Sequence, residues 1–447
     1  MKRIFRGWIV LAVLLLPSLS AAADTAATIS EDEALALFYQ RNLDLIAARY
    51  NIEDAQAQEI IAAAIPNPTI GVQVMGLTGK AGYNSSALGC RQTPGYECGP
   101  GQTYSFSQLI ETAGKRGLRM ESSAIGSQAA ESDFRNAVRV FSNMVRDAYY
   151  GLLLAQKQRR LARELVSHYQ EAVRSNRLRL QAGDIAEAEF LRIDMEALKA
   201  QSDLDNAEAA VEQAQANLAV TLNWPDKSMQ FEAREQWPQL KDIGQNSARE
   251  SLIDKALSLR PDLRADRQRA DQADKELELA RRLNYPDVTV TGGYTHDPGN
   301  TNLNSSFVGV SVPVPLFYQH QGEIGQAAVN HNKTRLAAEA TELAVRNDVV
   351  GALAAWKSAD KVVQRFESEL LDHARKVRDR AELAYRKGAS GVLEFIDAQR
   401  SYKAAMLDYD AAAINRINAY YDLAKSLGIE PNGELTPDEG YSHENRR

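Results

Sequence analysis

The side chains best placed to do chemistry in this sequence are two carboxylates in its C-terminal third. Glu394 and Asp397 are three residues apart, so on a helix they share one face. If several copies of the chain met around an axis, the pair would form rings of negative charge, which attract cations and constrict a pore. An ordinary solvated helix face is the alternative, and it is the commoner role of such a pair.

The motifs that usually mark an enzyme are missing from the sequence. It contains no Walker A loop, no HExxH, no GxSxG and no paired cysteines of the metal-binding type. The six histidines are dispersed. His168 and His373 are partner positions in an internal repeat, which would allow a metal relay, although an exposed helix position is the commoner role. We therefore expect no enzyme, no cofactor and no bound metal.

The only cysteines, Cys90 and Cys98, lie in a segment rich in glycine, proline and serine, residues 78–101. In an exported protein this predicts one disulfide that closes a short loop. A free thiol pair and a metal site are the alternatives. Two thiols without a nearby histidine are too few for a zinc site.

The N-terminus predicts export. Lys2, Arg3 and Arg6 precede an apolar run, and small residues follow it, so residues 1–23 form a signal peptide cleaved after Ala23. Cleavage takes the formal net charge from −7 to −10, because three basic residues and no acidic ones are lost. An acidic exported chain is a poor candidate for nucleic-acid binding. No later run of 18 or more apolar residues is present, so we expect no transmembrane helix.

The chain is an internal duplication. A shift of 218 positions pairs Asp44 with Asp262, and a shift of 205 pairs Gly183 with Gly388. Each half opens with a capping box that predicts a helix start, Ser30-x-x-Glu33 in the first half and Ser247-x-x-Glu250 in the second. One supersecondary unit is thus used twice around a common centre.

Most of the chain is predicted to be long helix. The helical segments, rich in alanine and charged residues and almost free of proline, are residues 122–181, 186–222, 327–387 and 392–427. A run of about 65 residues would extend about 100 Å, which suits a coiled-coil rod or the wall of a tube. In the short turns between these helices, Gly183 and Gly388 permit the positive φ that lets the chain turn back.

Four segments alternate between apolar and polar residues instead: residues 69–75, 103–109, 288–295 and 307–314. This alternation is typical of outer-membrane strands. Two soluble hairpins that cover a core with one face are the alternative. Four strands cannot close a barrel, and lipid does not tolerate open sheet edges. If the strands span a membrane, several chains must pool them; three chains of four strands would give twelve, a size that could leave a lumen.

These features resemble the TolC family of outer-membrane efflux ducts over nearly the whole mature chain. The resemblance is carried by the duplication, by Pro66-Asn67-Pro68 and Pro286 before strands, and by strand pairs between long helices. Residues 104–116, YSFSQLIETAGKR, look like the strand-to-helix junction of the heavy-metal (CzcC-like) branch. The implied fold is mainly α with membrane β. Duplicated long-helix hairpins form a periplasmic α-barrel, and four strands per chain contribute to a trimeric 12-stranded outer-membrane β-barrel.

The resemblance also implies the domain organisation. After the signal peptide come a first structural repeat, an equatorial linker, a second repeat and a polar tail, at residues 24–222, 223–246, 247–428 and 429–447. The strands are expected at about residues 68–77, 102–111, 286–295 and 305–315.

The same resemblance assigns candidate sites near the two turns. Those expected to form adaptor-docking tips in the periplasm are Gly183, Asp184, Gly388, Ala389 and Ser390. Those expected to form the periplasmic gate are Glu394, Asp397, Glu189 and Arg192. Some relatives carry a basic residue where this chain has Ser390, so the salt bridge usual for the family's gate lacks that cation here. Arg192 is the first-repeat equivalent of Asp397 and therefore a candidate substitute partner for it.

The implied function is a passive outer-membrane duct in a tripartite efflux system. Its partners would be two further copies of itself, outer-membrane lipid, a periplasmic adaptor (a membrane fusion protein) and an inner-membrane RND-type pump. Heavy-metal cations are the expected cargo. Drugs or small organic molecules, type I secretion, and a soluble periplasmic coiled-coil scaffold are the alternatives.

Overall fold

The structure is a computed structural model that describes residues 27–75, 101–225, 231–244, 247–296 and 304–430. The predicted signal peptide, Cys90, Cys98 and all but the first two residues of the predicted tail lie outside the described residues. The chain divides into two compact units. The first contains Val145–Trp237, Ala374–Asp410 and the residues up to Phe38; the second contains Tyr39–Met144, Pro238–His373 and the residues from Ala411.

Long helices dominate the described chain, and short strands interrupt them. In chain order the elements are β1 (Ala27–Ile29), α1 (Glu31–Arg41), α2 (Leu43–Ala63), β2 (Thr69–Met75), β3 (Gly101–Ile110), α3 (Lys115–Gln181), α4 (Glu187–Thr221), β4 (Phe231–Ala233), α5 (Arg249–Leu259), α6 (Pro261–Arg282), β5 (Val288–His296), β6 (Asn304–Ser311), α7 (Gln321–Arg365), a π-helical turn (Phe366–Leu370), α8 (Leu371–Arg386) and α9 (Val392–Leu427). The four predicted long helices are confirmed. No helix among the described residues combines the length and the apolar character needed to cross a membrane.

The first predicted capping box is confirmed and the second is wrong. The Ser30 amide donates to the Glu33 carboxylate at 2.7 Å, and the Glu33 amide donates to Ser30 Oγ at 3.2 Å. In the second half, α5 begins at Arg249, and its N-cap is Ala248, which has no side-chain cap. The Ser247 amide instead donates to the Gly244 carbonyl at 2.7 Å, so a preceding turn places this serine one residue too early to cap the helix.

A short parallel strand pair that the alternation did not predict lies in the first unit. Ala27, Thr28 and Ile29 of β1 pair with Phe231, Glu232 and Ala233 of β4. The buried Tyr149 hydroxyl donates to the Arg234 carbonyl at 2.8 Å, next to the pair. Three-residue strands are too short to show a period of two, so the alternation of apolar and polar residues could not predict this pair.

An ion-pair network connects α6 to α7 in the second unit. The buried Arg260 guanidinium donates to Asp262 at 2.5 Å and to Asp348 at 2.8 Å. Arg139 of α3 adds a bond to Asp262 at 3.3 Å and one to the Lys425 carbonyl at 2.6 Å. Its two arginine partners keep the pKa of Asp262 below the ordinary value, although burial opposes this effect. Asp262, the second-repeat partner of Asp44, therefore has a structural role: its carboxylate binds the arginines that connect these helices.

The four predicted membrane strands form one antiparallel sheet in the order β2-β3-β5-β6, in the second unit. The predicted bounds of β2 are confirmed, whereas the fourth strand is Asn304–Ser311 rather than residues 307–314. Pro313 and Pro315 explain the difference, because a proline has no amide hydrogen for the ladder. Both outer edges of the sheet, along β2 and β6, have no partner strand within the described chain.

Candidate functional site

Both predicted tip turns adopt the same glycine-terminated geometry. Gly183 has φ +80° and Gly388 has φ +71°, values that a residue with a side chain rarely adopts. After α3 the Asp184 amide donates to the Arg179 carbonyl at 2.8 Å, and after α8 the Ala389 amide donates to the Ala384 carbonyl at 2.8 Å. Each is a bond across six residues that satisfies an exposed carbonyl at the helix end. Two equal turns thus reverse the chain at equivalent positions of the repeats.

Below the turns, an aromatic cluster packs the two hairpins together within the first unit. The Tyr385 and Phe395 rings are stacked with centroids 5.0 Å apart, and Tyr169 meets Phe395 edge-on at 6.3 Å. The Tyr385 hydroxyl donates to Oδ1 of the buried Asn176 at 2.5 Å. Burial raises the pKa of Tyr385, and it raises the pKa of Tyr169 to about 12. Both phenols therefore stay neutral at physiological pH.

The proposed gate residues are all solvent-exposed in the single chain. Glu394 and Asp397 lie in the first turns of α9, while their neighbours Phe395 and Ile396 are buried in the hairpin core. The carboxylates therefore point away from that core. Glu189 and Arg192 are exposed at the start of α4. Whether these four residues line a pore depends on neighbouring copies, so the gate remains a proposal.

A cation close to Asp397 within the described chain is Arg400, one turn later on α9, whose pKa is raised mainly by Glu196 and to a lesser degree by Asp397. No ion pair between Arg192 and Asp397 forms among the described residues, so a bond between them would have to join two copies. Ser390 contributes no charge to the tip: its hydroxyl is buried and has no hydrogen-bond partner among the described residues. The Ser390 hydroxyl points inward, whereas the exposed residues Gly388 and Ala389 face solvent.

Two ion pairs that sequence reasoning did not identify connect α4 to α9 beyond the gate residues. Arg400 bonds to Glu196, and Lys403 bonds to Asp203. The hydrogen bond to Glu196 raises the pKa of Arg400. The charges of opposite sign were visible in the sequence, but the pairing depends on the offset between two helices about 200 residues apart. These pairs fix the position of α9 against α4, and hence the direction of the carboxylates of Glu394 and Asp397.

The sheet has one apolar and one polar face, as the alternation predicted. The apolar face, defined by the strand register, carries Ile70, Val72, Val74, Tyr104, Phe106, Ile110, Val288, Val290, Tyr294, Val308 and Val310. The polar face carries hydroxyl pairs between β3 and β5: Thr103 bonds to Thr295 at 3.2 Å, and Ser107 bonds to Thr291 at 3.0 Å. Exceptions on the polar face are Leu109, which is level with Thr289, and Phe307, whose ring covers Gly293.

The described residues support no metal relay. His168 lies 3.7 Å from Glu164, one turn earlier on α3, which is a surface contact. His373 is exposed. Across the described ranges, no group of three or more histidine, cysteine, aspartate or glutamate residues is placed to hold a metal ion.

Comparison with known proteins identifies the family. Residues 34–223 and 252–429, which are most of the chain, match the family described as Outer membrane efflux protein. The chain belongs to this family. Both matched ranges begin in corresponding helices of the two repeats, and the predicted family is confirmed.

Individual members of the Outer membrane efflux protein family are similar over most of the chain. The cobalt-zinc-cadmium resistance protein CzcC of Cupriavidus metallidurans is 24% identical over 386 residues, 86% of this chain and 87% of that protein. The pyoverdine export outer membrane protein OpmQ of Pseudomonas putida is 22% identical over 414 residues, 89% and 85% of the two chains. The Campylobacter jejuni CmeC outer membrane channel has the same fold, with a TM-score of 0.74 and 16% identity over 98% of this chain and 96% of that one.

The protein is thus an outer-membrane efflux protein located in the outer membrane, with the predicted fold class: mainly α, with a membrane β contribution. The apolar face of the sheet is suited to lipid and the hydroxyl-lined face to water. Its structural relatives are channel proteins.

Proposed function

We propose that this outer-membrane efflux protein is the passive exit duct of a tripartite efflux system and works as a homotrimer. The observation that carries the proposal is the four-stranded sheet with one apolar face, one polar face and two unpaired edges. A sheet with open edges is unstable in lipid, because unpaired backbone groups cost several kcal/mol each. Pairing the β6 edge of one copy with the β2 edge of the next removes every edge.

The direction of the strands supports closure by rotation. β2 runs antiparallel to β3, β3 to β5, and β5 to β6, so β6 runs opposite to β2. A second copy can therefore continue the antiparallel pattern at either edge. Three copies supply twelve strands, enough to leave a lumen lined by the Ser and Thr hydroxyls. In this arrangement the long helical hairpins of the three copies, two from each chain, form the periplasmic tube.

The tip turns are proposed to dock a periplasmic adaptor that connects the duct to an inner-membrane RND-type pump. Gly183, Asp184, Gly388 and Ala389 are exposed at the ends of the hairpins. Around the threefold axis, the exposed Glu394 and Asp397 would form the gate, with Arg192 of a neighbouring copy as the cation that bonds to Asp397. We propose no catalytic role for any residue; energy comes from the pump.

Heavy-metal cations are the proposed cargo. The supporting observations are the similarity to CzcC, whose name states cobalt, zinc and cadmium resistance, and the exposed acidic pair of α9. Export of organic molecules is the second candidate, because OpmQ is named for pyoverdine export and is similar over as much of the chain. The polar face of the described strands also favours it, since that face carries hydroxyls and no charged residue.

Two measurements test the duct. The mass in detergent should correspond to three chains, and the purified protein should form pores in planar bilayers. A protein released with the soluble periplasmic contents, or a stable monomer in detergent, would contradict the proposal and favour a periplasmic scaffold. For the cargo, deletion of the gene should lower resistance to zinc, cobalt or cadmium; unchanged metal resistance with a loss of resistance to organic compounds would favour the second candidate.

A further inference from the structure

We infer that the segment after β6, residues 312–318 (the proline segment), packs against Ile60, Ile61 and Ile65 (the isoleucine patch) of the next copy in the trimer. The inference rests on the proposed homotrimer and adds to it a specific side-chain contact outside the strand ladder. It predicts which residues hold neighbouring copies in register where the sheet meets the helices.

Both surfaces are apolar and uncovered in the single chain. In the proline segment, Phe317 is 99% exposed and Leu316 is 73% exposed, and the segment also exposes Val312, Val314 and Tyr318. In the isoleucine patch, Ile60 is 76%, Ile61 63% and Ile65 65% exposed. Single exposed apolar residues are common on proteins, but two contiguous clusters of this kind indicate surfaces that are covered in the assembly.

The strand register places the two surfaces at the same end of the sheet. Thr69, at the start of β2, is level with Ser107 of β3, which pairs with Thr291 of β5, which pairs with Gly309 near the end of β6. The isoleucine patch immediately precedes β2, and the proline segment immediately follows β6. Because β2 and β6 are the two free edges, the patch lies at one edge and the proline segment at the other. Rotation that joins β6 to the next β2 therefore brings them together.

Prolines exclude continued strand pairing at this level. Pro66 and Pro68 precede β2, and Pro313 and Pro315 follow β6. None of the four has an amide hydrogen, so a regular ladder between the copies is disfavoured past the strand ends. The side chains available for contact between the two extensions are the apolar ones exposed there.

Charged neighbours favour a protein partner over lipid as the cover. The isoleucine patch begins inside α2, next to Glu59, and Arg116 donates to the Ala63 carbonyl beside it at 2.9 Å. On the other side, the Tyr318 hydroxyl donates to the Glu323 carboxylate at 2.5 Å. An acyl-chain environment would disfavour these ionised groups, whereas a partner chain can leave them at a hydrated rim.

Cysteine cross-linking tests the contact. In the variant Phe317→Cys with Ile61→Cys, a short bis-maleimide should give bands of two and three chains on denaturing gels. The matched control is Phe317→Cys with Leu43→Cys: Leu43 is exposed at the other end of α2, eighteen residues and about 27 Å along the helix. This control variant should give only single chains. The variants with one added cysteine should do the same, and they also report any reaction of the native Cys90 and Cys98.

The outcomes separate this inference from the trimer itself. A detergent mass of three chains without cross-linking of the Phe317 and Ile61 pair would overturn the contact and leave the trimer standing. A mass of one chain would overturn both. As a second measurement, Phe317→Trp should be quenched weakly by lipids brominated on their acyl chains, compared with Val308→Trp, which is 82% exposed on the apolar face. Equal quenching at the two positions would show that lipid covers Phe317 and would overturn the inference.

Discussion

The Tyr385 hydroxyl donates a 2.5 Å hydrogen bond to Oδ1 of Asn176, which connects the last turn of α8 to α3. Asn176 is almost completely buried, and its amide nitrogen donates to the Ala172 carbonyl at 2.7 Å. Both ends of the Asn176 side-chain amide are thus hydrogen-bonded. Among the described residues, Tyr385 is the donor that its Oδ1 atom accepts from. One phenol therefore holds the position of the second tip turn relative to the first hairpin.

Removing that phenol should destabilise the hairpins while keeping their apolar packing. In Tyr385→Phe the ring can still stack on Phe395, but Oδ1 of Asn176 is left buried without a donor. We expect a loss of about 1–3 kcal/mol in the free energy of unfolding. Chemical denaturation in detergent measures it, and Tyr50→Phe, at an exposed position on α2, is the control. Equal stability of the two variants would show that the bond contributes nothing.

The positive φ at the second tip turn should make Gly388 sensitive to a single methyl group. A Cβ at Gly388 meets no atom within 4 Å, so the cost of Gly388→Ala comes from the backbone conformation at φ +71° alone. We expect about 1–2 kcal/mol of destabilisation. Gly391→Ala is a matched control three residues away, because its Cβ also meets nothing and its φ is not positive. Similar stability changes for both variants would refute the conformational explanation.

Neutralising the proposed gate should change conduction in two separable ways. In Glu394→Gln with Asp397→Asn, removal of the charge rings should lower cation selectivity, and loss of contacts between copies should raise single-channel conductance. Reversal potential and conductance in planar bilayers measure the two effects. If both are unchanged, the carboxylates are a solvated helix face and the gate assignment is wrong.

A pairing between Arg192 and Asp397 of neighbouring copies can be tested by charge exchange. Arg192→Glu alone should raise conductance as Asp397→Asn does, because either change removes the ion pair. Combining Arg192→Glu with Asp397→Arg restores opposite charges and should partly restore the low conductance of the native protein. If the double variant conducts like the sum of the single ones, the two residues do not interact.

The two faces of the sheet should respond differently to the same charge. Val308→Arg places a guanidinium on the apolar face and should cost about 2–4 kcal/mol near the middle of the membrane, so less trimer should be found in outer membranes. Thr291→Arg on the polar face should leave assembly intact and lower cation conductance instead. Trimer content on gels and conductance in bilayers are the two readouts. Assembly losses of equal size would contradict the assignment of the faces.

The sequence by itself determined the elements and their duplication. Proline-free alanine-rich stretches specified the long helices, Gly183 and Gly388 specified the turns, and the period of two in residues 69–75 specified a strand with one apolar face. These signals are local, because a helix, a turn and a strand each depend on the residues within a few positions. Local signals also have local errors: Ser247 has the right type for a cap but lies one residue too early, and Pro313 ends a strand that the alternation continued.

Only the tertiary structure decided which distant residues meet. The Tyr385–Asn176 bond, the pairing of Arg400 with Glu196, and the order β2-β3-β5-β6 each join segments far apart in sequence. No periodicity encodes such contacts, because they depend on the offset and rotation of one element against another. The open edges of the sheet also required the structure. The strand count implied that such edges exist, but only the register showed that the proline segment and the isoleucine patch lie at the same end.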